Sequence, residues 1–207
     1  MRSKRTIGVV LFEAFELLDV FGPLEMFGLA AEHFEIRLIS ETGGVVASRQ
    51  GPKSVIDDQL SDAPALDVLF VPGGTGTRRE VDNPVLLDWL KERSWQAELV
   101  ISVCTGSALL AKAGVLDGVR ATTNKLAFAW AASQSEKVQW QKQARWVEDG
   151  KFFTSSGVSA GIDMSLAVIA KLVSQQAAEQ AANFAEYDWH RDPDWDPFAA
   201  LQGLVGD

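Results

Sequence analysis

Cys104 is the only cysteine in the chain, and the residue types on either side of it suggest that it does chemistry. It follows the apolar, β-prone run "ELVISV" (98–103) and precedes the helix-forming run "TGSALLAKAGVL" (105–116). Open α/β folds bind ligands at the carboxyl ends of their buried strands, and a thiol at a helix N-terminus faces N–H groups that favour thiolate. Gly106 permits a sharp turn into the helix. We therefore interpret Cys104 as a nucleophile on a strand-to-helix elbow rather than as an inert buried thiol.

A glycine-rich segment, "VPGGTGTRRE" (71–80), also follows an apolar strand. A phosphate-binding loop needs another glycine spacing and a Lys-Ser/Thr pair, which this segment lacks. A plain glycine turn and an oxyanion hole are the two alternatives. Because glycine lets backbone N–H groups approach a ligand closely, we expect Gly73 and Gly74 beside the cysteine. The N–H of Gly74 would pair with that of Thr105 to stabilise developing negative charge.

The segment "LLDVFGP" (17–23) places Asp19 among apolar side chains just after the first strand. One reading is that Asp19 caps the short helix that follows. The other is that an apolar pocket disfavours its charged form and raises its pKa. Such a carboxyl stays protonated near neutral pH and can donate or accept a proton without histidine.

The two histidines do not suggest a site. We place His33 at a solvent-exposed helix end, and the spacing of His190, in the tryptophan-rich tail, assigns it no role. One cysteine and two distant histidines exclude a Cys-His metal cluster. The carboxylates of "DPDWDP" (192–197) lack the EF-hand register and predict a solvated turn. We therefore expect neither a metal nor a cofactor.

Strand-length apolar runs alternate with helix-length segments, which predicts βαβ units and a mostly parallel sheet with helices on both faces. The tail from Tyr187 onwards predicts an ordered surface segment, so we expect residues 1–207 to form a single domain. The predicted strands are 6–12, 34–40, 65–74, 98–103, 118–123 and 151–156, with a hairpin over 44–59. The predicted helices are 24–31, 83–97, 105–116, 125–133, 159–174 and 175–186, with Asn83 as the N-cap of the second and Pro23 in the first turn of the first.

The composition limits the classes of partner. The 207 residues are 47% hydrophobic and carry a net charge of −9, and an acidic chain repels phosphate backbones, so nucleic acid is not an expected partner. Glu13 and Glu16 interrupt the first apolar run, which predicts no signal peptide, and no run reaches the roughly 20 apolar residues of a membrane span. We expect a cytoplasmic protein that acts on a small molecule.

Five segments together resemble the ThiJ/PfpI superfamily, which has the class I glutamine amidotransferase-like fold. They are "LLDVFGP", "VPGGTG", "SVCTGSALLAKAGVLDGVRATTN", "FFTSSGVSAGIDMSL" and "EYDWHRDPDWDPF". The resemblance spans nearly the whole chain. It implies a flavodoxin-like three-layer α/β sandwich, the cysteine on a nucleophile elbow, and a homodimer.

Within that superfamily, "LLDVFGP" and "SVCTGS" are most similar to the isonitrile hydratase-like branch. This implies a hydratase that converts an organic isonitrile to an N-substituted formamide, with Cys104 as nucleophile and Asp19 as proton donor. Gly73, Gly74 and Thr105 would surround the reacting atoms, and Val158, Ser159 and Ala160 would line the pocket. Asn124 would also belong to the substrate-binding residues, although it departs from the branch, because many relatives have histidine in its place.

Other readings remain open at this point. Thr105 stands where the intracellular protease branch has histidine, which argues against peptidase activity. A glyoxalase or deglycase acting on reactive dicarbonyls is one alternative, and a non-enzymatic cysteine redox sensor is another, because a low-pKa thiol oxidises readily. The sensing domains of AraC-type regulators also look similar, but those proteins carry an additional DNA-binding domain that we do not expect here.

Overall fold

The structure is a computed structural model that describes residues 4–206. Its centre is a seven-stranded sheet in the order β10-β11-β7-β6-β1-β2-β5, in which every neighbouring pair is parallel except β10 with β11. These strands are β1 (Arg5–Val10), β2 (Phe34–Ser40), β5 (Asp58–Gln59), β6 (Val68–Val71), β7 (Leu99–Ser102), β10 (Trp146–Asp149) and β11 (Phe152–Ser155). Central strands β6 and β7 are buried at every position, as expected for a parallel sheet covered on both faces.

Two groups of helices pack around the sheet. One consists of α1 (Leu17–Leu29), α6 (Ala160–Leu172) and α7 (Gln175–Phe184), which pack on one another. The other consists of α2 (Thr77–Glu80), α3 (Pro84–Gln96), α4 (Gly106–Lys112) and α5 (Phe128–Ala132). The last helix of the described range is the short α8 (Pro197–Leu201). This is the predicted flavodoxin-like α/β sandwich, and none of the helices in the described range is long and apolar enough to span a bilayer.

Several local predictions are confirmed. Asn83 caps α3, because its side-chain oxygen accepts from the N–H groups of Val85 and Leu86. The segment 44–59 contains the antiparallel hairpin of β3 (Val45–Ala47) and β4 (Lys53–Val55), although its last residues join the central sheet as β5. The helices predicted over 159–174 and 175–186 are α6 and α7.

The first helix was placed wrongly. It begins at Leu17, seven residues before the predicted start, so Pro23 lies inside it and Asp19 lies in its first turn instead of capping it. A proline inside a helix lowers its stability, but here the packing of α1 against α6 compensates. Gly22 lets α1 approach α6 closely, since a Cβ there would lie 2.7 Å from Ile162.

The strand predicted over 118–123 is shorter than expected and lies outside the central sheet. Only β8 (Arg120–Ala121) forms, and it pairs with β9 (Gln139–Trp140) in a separate two-stranded sheet. The position beside β11 is occupied by β10, a strand that the sequence pattern did not predict. Strands β10 and β11 form a hairpin that turns at Gly150, which has a φ of +61°. The "DG" pair at 149–150 is a recognisable turn signal.

The tail is ordered, as predicted, and Asp163 of α6 holds it. This buried carboxylate accepts from Arg145 (Nη2, 2.6 Å), from the Tyr187 hydroxyl (3.1 Å) and from the His190 N–H (2.9 Å). The predicted solvated turn is wrong for Asp196, which is buried and caps α8 by accepting from Phe198 N–H. The last segment is thereby brought close to residues that follow β11.

Gly106 is required by space, and this can be tested. A Cβ at this position would overlap the carbonyl oxygen of Val71, and backbone atoms cannot yield as a flexible side chain would. We expect Gly106→Ala to lower the free energy of unfolding by about 3 kcal/mol. Gly28→Ala is the matched control. It lies in an exposed turn of α1 with open space around it, and should raise stability by about 0.5–1 kcal/mol. Urea denaturation of both variants measures the difference, and equal midpoints would contradict the close approach.

Candidate active site

Parallel pairing of β6 with β7 creates the site. Val71 and Ser102 are register partners at the ends of these strands, so the segments that leave their carboxyl ends emerge side by side. One carries Gly73 and the other carries Cys104. The first turn of α1 brings Asp19 to the same place, where its Oδ2 accepts the Gly73 N–H at 3.0 Å. Three segments distant in sequence thus meet at the carboxyl edge of the sheet, as open α/β folds arrange their ligand sites.

Cys104 lies on a strained elbow. Its φ of +57° is in the left-handed region, which costs a non-glycine residue free energy unless the surroundings hold it. Here they do. Its N–H donates to the Ser156 carbonyl at 3.0 Å, and its own carbonyl accepts from the hydroxyls of Ser107 (3.1 Å) and Thr123 (3.0 Å). The contribution of Thr123 was not anticipated, because nothing in its sequence neighbourhood points to residue 104.

Asp19 is fully buried, and its environment favours the neutral acid. Burial, and to a smaller extent the nearby negative charge of Glu16, raise the pKa of Asp19 to about 8. The Gly73 N–H, which donates to Oδ2, and the nearby Cys104 thiol oppose this shift, and among the described residues no N–H or O–H group donates to Oδ1. At neutral pH the carboxyl group therefore carries a proton that it can donate.

The expectation of a stabilised thiolate at Cys104 is wrong for the free protein. Only 6% of the residue is exposed, and burial raises the pKa of the Cys104 thiol well above its usual range. When Asp19 is ionised, its negative charge raises the pKa of the thiol further. The N–H groups of Thr105 and Val158 donate towards the sulfur and lower the pKa, but they are outweighed. The sequence identified the elbow, but it did not show how completely the thiol is removed from water.

The predicted oxyanion hole needs correction too. The Gly74 N–H donates to Thr105 Oγ1 at 3.1 Å, so it is not free to pair with the Thr105 N–H against a ligand. Besides the Thr105 N–H, the backbone N–H that donates towards the Cys104 sulfur is that of Val158, on the segment after β11. Val158 has a φ of +44°, which is unusual for a β-branched residue and turns this segment towards the sulfur.

Asn124 has a positioning role. Its Oδ1 accepts from the Ala127 N–H at 2.9 Å, which fixes the turn that leads into α5. Its amide nitrogen packs against Gly157, where any side chain would collide with it. Asn124 therefore lies between the segments that carry Leu126 and Val158, both of which line the same cleft as Cys104.

The elbow opens into a cleft of about 380 Å³, large enough for a small molecule. Four of its lining residues were predicted site residues besides Cys104: Gly74, Thr105, Asn124 and Val158. Sequence analysis missed Glu16, Arg49, Thr75, Arg78, Leu126 and Ala127, which also line it. Glu16 and Arg49 form an ion pair at 3.7 Å across one side of the opening. Their only sequence signal was proximity to segments already singled out.

The remaining predicted residues lie elsewhere. Gly73 is buried beneath the cleft, where a Cβ would lie 2.6 Å from the Thr105 nitrogen. Ser159 lines a smaller neighbouring cavity, whereas Ala160 is fully buried, so its expected place in the pocket wall is wrong. Neither histidine lines the cleft. Within residues 4–206, no three His, Cys, Asp or Glu side chains gather as a metal site.

Solved structures with this architecture are known. A crystal structure of a ThiJ/PfpI family protein from Pseudomonas syringae superposes with a TM-score of 0.84 and 30% identity, covering 98% of this chain and 86% of that one. Drosophila melanogaster DJ-1beta matches with a TM-score of 0.79 over 90% of this chain and all of that one. Because DJ-1beta is only 19% identical to this chain, its similarity supports the fold alone.

Sequence comparisons agree. Isonitrile hydratase of Pseudomonas putida is 33% identical over 181 residues, or 87% of this chain and 78% of that protein. The HTH-type transcriptional regulator GbdR of Pseudomonas aeruginosa is 29% identical over 82% of this chain, which spans only 47% of the regulator's length. The DJ-1/PfpI family profile matches residues 5–171. The chain therefore belongs to the DJ-1/PfpI family.

Proposed function

We propose that this protein is a cysteine-dependent isonitrile hydratase, which adds water to an organic isonitrile to give an N-substituted formamide. The observation that carries the proposal is a buried, neutral Asp19 beside Cys104, which lines an open cleft. Isonitrile hydration needs a proton on carbon and a nucleophile at the same atom, and this pair supplies both. The 33% identity to the Pseudomonas putida isonitrile hydratase supports the same assignment.

The raised pKa of both groups decides the order of the first step. Protonated Asp19 gives its proton to the terminal carbon of the isonitrile, and this makes that carbon electrophilic. The sulfur of Cys104 then attacks the carbon, and the thiol proton returns to the carboxylate of Asp19. A covalent thioimidate results, and Asp19 is neutral again. No free thiolate is needed, so the buried thiol is compatible with catalysis.

The second step consumes water. The water oxygen attacks the thioimidate carbon while Asp19 donates its proton to the substrate nitrogen. The carboxylate of Asp19 then takes a proton from the water. The carbon–sulfur bond then breaks, the new hydroxyl proton returns to sulfur through Asp19, and the formamide leaves. The sum is one isonitrile plus one water to one formamide, with no oxidant or reductant. The N–H groups of Thr105 and Val158 stabilise the departing sulfur.

The site favours this chemistry over the redox-sensor alternative. Peroxide oxidises the thiolate form of cysteine, and burial of Cys104 disfavours that form. Conversion of dicarbonyls has no observation of its own in its favour, so methylglyoxal serves as the comparison substrate in the experiments below.

Removing either member of the pair should abolish hydration. We expect Cys104→Ala to lower kcat/KM for a simple alkyl isonitrile by at least about 10³-fold, and Asp19→Asn by roughly 10²–10⁴-fold. Asp188→Asn, in the exposed tail, is the matched control and should retain wild-type turnover. Loss of the isonitrile infrared band and appearance of formamide report the reaction. Wild-type turnover of methylglyoxal without any of isonitrile would contradict the proposal.

The pH profile tests the protonation state of Asp19. Because this residue acts as an acid and burial raises its pKa to about 8, hydration should be level below that pH and fall about tenfold per pH unit above it. The profile is measured as kcat/KM between pH 6 and 10. Residual activity of Asp19→Asn should lack the fall near pH 8. A wild-type rate that rises through this range would show instead that thiolate formation limits the reaction.

Alkylation of Cys104 provides a readout independent of turnover. At pH 9 the wild-type carboxylate is ionised, and its charge raises the pKa of the thiol. Asp19→Asn removes that charge, so iodoacetamide should modify Cys104 faster in this variant than in the wild type, although hydration is lost. Mass spectrometry follows the reaction at the single cysteine. A slower reaction in the variant would mean that Asp19 serves only to hold the elbow in shape.

A further inference from the structure

Arg78 is an arginine of the cleft whose charge is not neutralised. It belongs to α2 and lines the same opening as Cys104. Among residues 4–206, its one hydrogen bond goes from Nη1 to the hydroxyl of Thr77 at 3.3 Å, and no carboxylate of those residues forms an ion pair with it. The adjacent Arg79 differs, because it pairs with Glu80 at 2.5 Å.

The guanidinium of Arg78 is held in a defined orientation. Its Cζ lies 3.3 Å from the ring centroid of Trp130 on α5, so the planar group is stacked on the indole. Stacking occupies the face of the guanidinium and leaves its edge, with the remaining N–H donors, available for a ligand. A stacked arginine loses less side-chain entropy on binding than a free one, which favours recognition of a planar anion.

The charge also lies close enough to the sulfur to matter. Partial burial lowers the pKa of Arg78, and negative charge on Cys104 would raise it. A ligand bound to this guanidinium therefore sits within the electrostatic range of the nucleophile. The other basic residue of the cleft, Arg49, is already paired with Glu16, which also accepts a hydrogen bond from the side-chain amide of Gln50. The positive charge available to a ligand is that of Arg78.

We propose that Arg78 forms a carboxylate subsite and that the substrates are small isonitriles bearing a carboxylate group. A single planar, unpaired guanidinium matches a carboxylate, whereas a phosphate dianion would call for more positive charge than this cleft offers. The isonitrile part of the inference rests on the proposed function. The anion subsite does not, because it stands on the stacking and the missing counter-charge.

The subsite can be tested without any turnover. Cys104 is alkylated with iodoacetate, an anion, and with iodoacetamide, its neutral analogue. The rate with iodoacetate is divided by the rate with iodoacetamide. Because both reagents react with the same thiolate, its fraction cancels in this ratio. We expect Arg78→Gln to lower this ratio at least about threefold relative to wild type. Arg79→Gln removes the same charge one residue away and should leave the ratio unchanged. The same ratio in all three proteins would overturn the subsite.

Turnover then tests the substrate class. Wild type should prefer isocyanoacetate to its methyl ester by roughly tenfold in kcat/KM, and Arg78→Gln should lose that preference. Arg78→Lys should restore only part of it, because lysine lacks the planar fork. Hydration of both compounds without preference would overturn the substrate class and leave the hydratase intact. No hydration of either, with the alkylation ratio still dependent on Arg78, would overturn the hydratase and leave the anion subsite.

Discussion

The absence of a side chain at Gly73 is the constraint on which the site depends. A Cβ there would lie 2.6 Å from the Thr105 nitrogen and 2.7 Å from Asp19 Oδ2. Only a glycine lets the loop after β6, the elbow after β7 and the first turn of α1 touch at one point. The Gly73 N–H uses this contact to hold the carboxyl of Asp19, so the same residue provides both the space and the hydrogen bond.

The geometry of the site lowers the free energy of unfolding, and the rest of the fold must offset this loss. Cys104 and Val158 both have positive φ, and Asp19 is buried beside a thiol. Burial raises the pKa of Asp19 in the folded state above its unfolded value, so its contribution to stability is complete at low pH and is lost as pH rises through about 8. Strands β6 and β7, buried at every position, supply the rigid support that such a site needs.

The neutrality of the pair changes how the chemistry is understood. A nucleophilic cysteine is normally activated by a lowered pKa or by an adjacent base. Here the carboxyl is itself neutral, and it can donate a proton from one oxygen while it accepts one at the other. This suits a substrate whose carbon must be protonated before it is attacked. The stacked guanidinium of Arg78, on another wall of the cleft, bears on substrate choice rather than on these proton transfers.

Local patterns were sufficient to determine the elements that carry the site. Alternating apolar runs predicted the parallel strands, because burial on both faces requires continuous hydrophobic segments. The junction around Cys104 predicted the elbow, and Asn83 predicted the start of α3. What failed were features in which packing overrides propensity. One example is the early start of α1, with Pro23 inside it. Another is the sheet edge beside β11, where β10 lies while β8 pairs elsewhere.

The sequence by itself determined the family and the α/β fold, and it singled out Cys104 and Asp19 as candidate reacting groups, because each is encoded in a short contiguous motif. Only the tertiary structure decided their protonation and their neighbours. The pKa values of Asp19 and Cys104 follow from exclusion of water by several distant segments, which no local pattern records. In the same way, Arg78 meets Trp130 across 52 positions of chain, and Val158 takes the place beside the sulfur that Gly74 was expected to hold, because long-range packing chose the contacts.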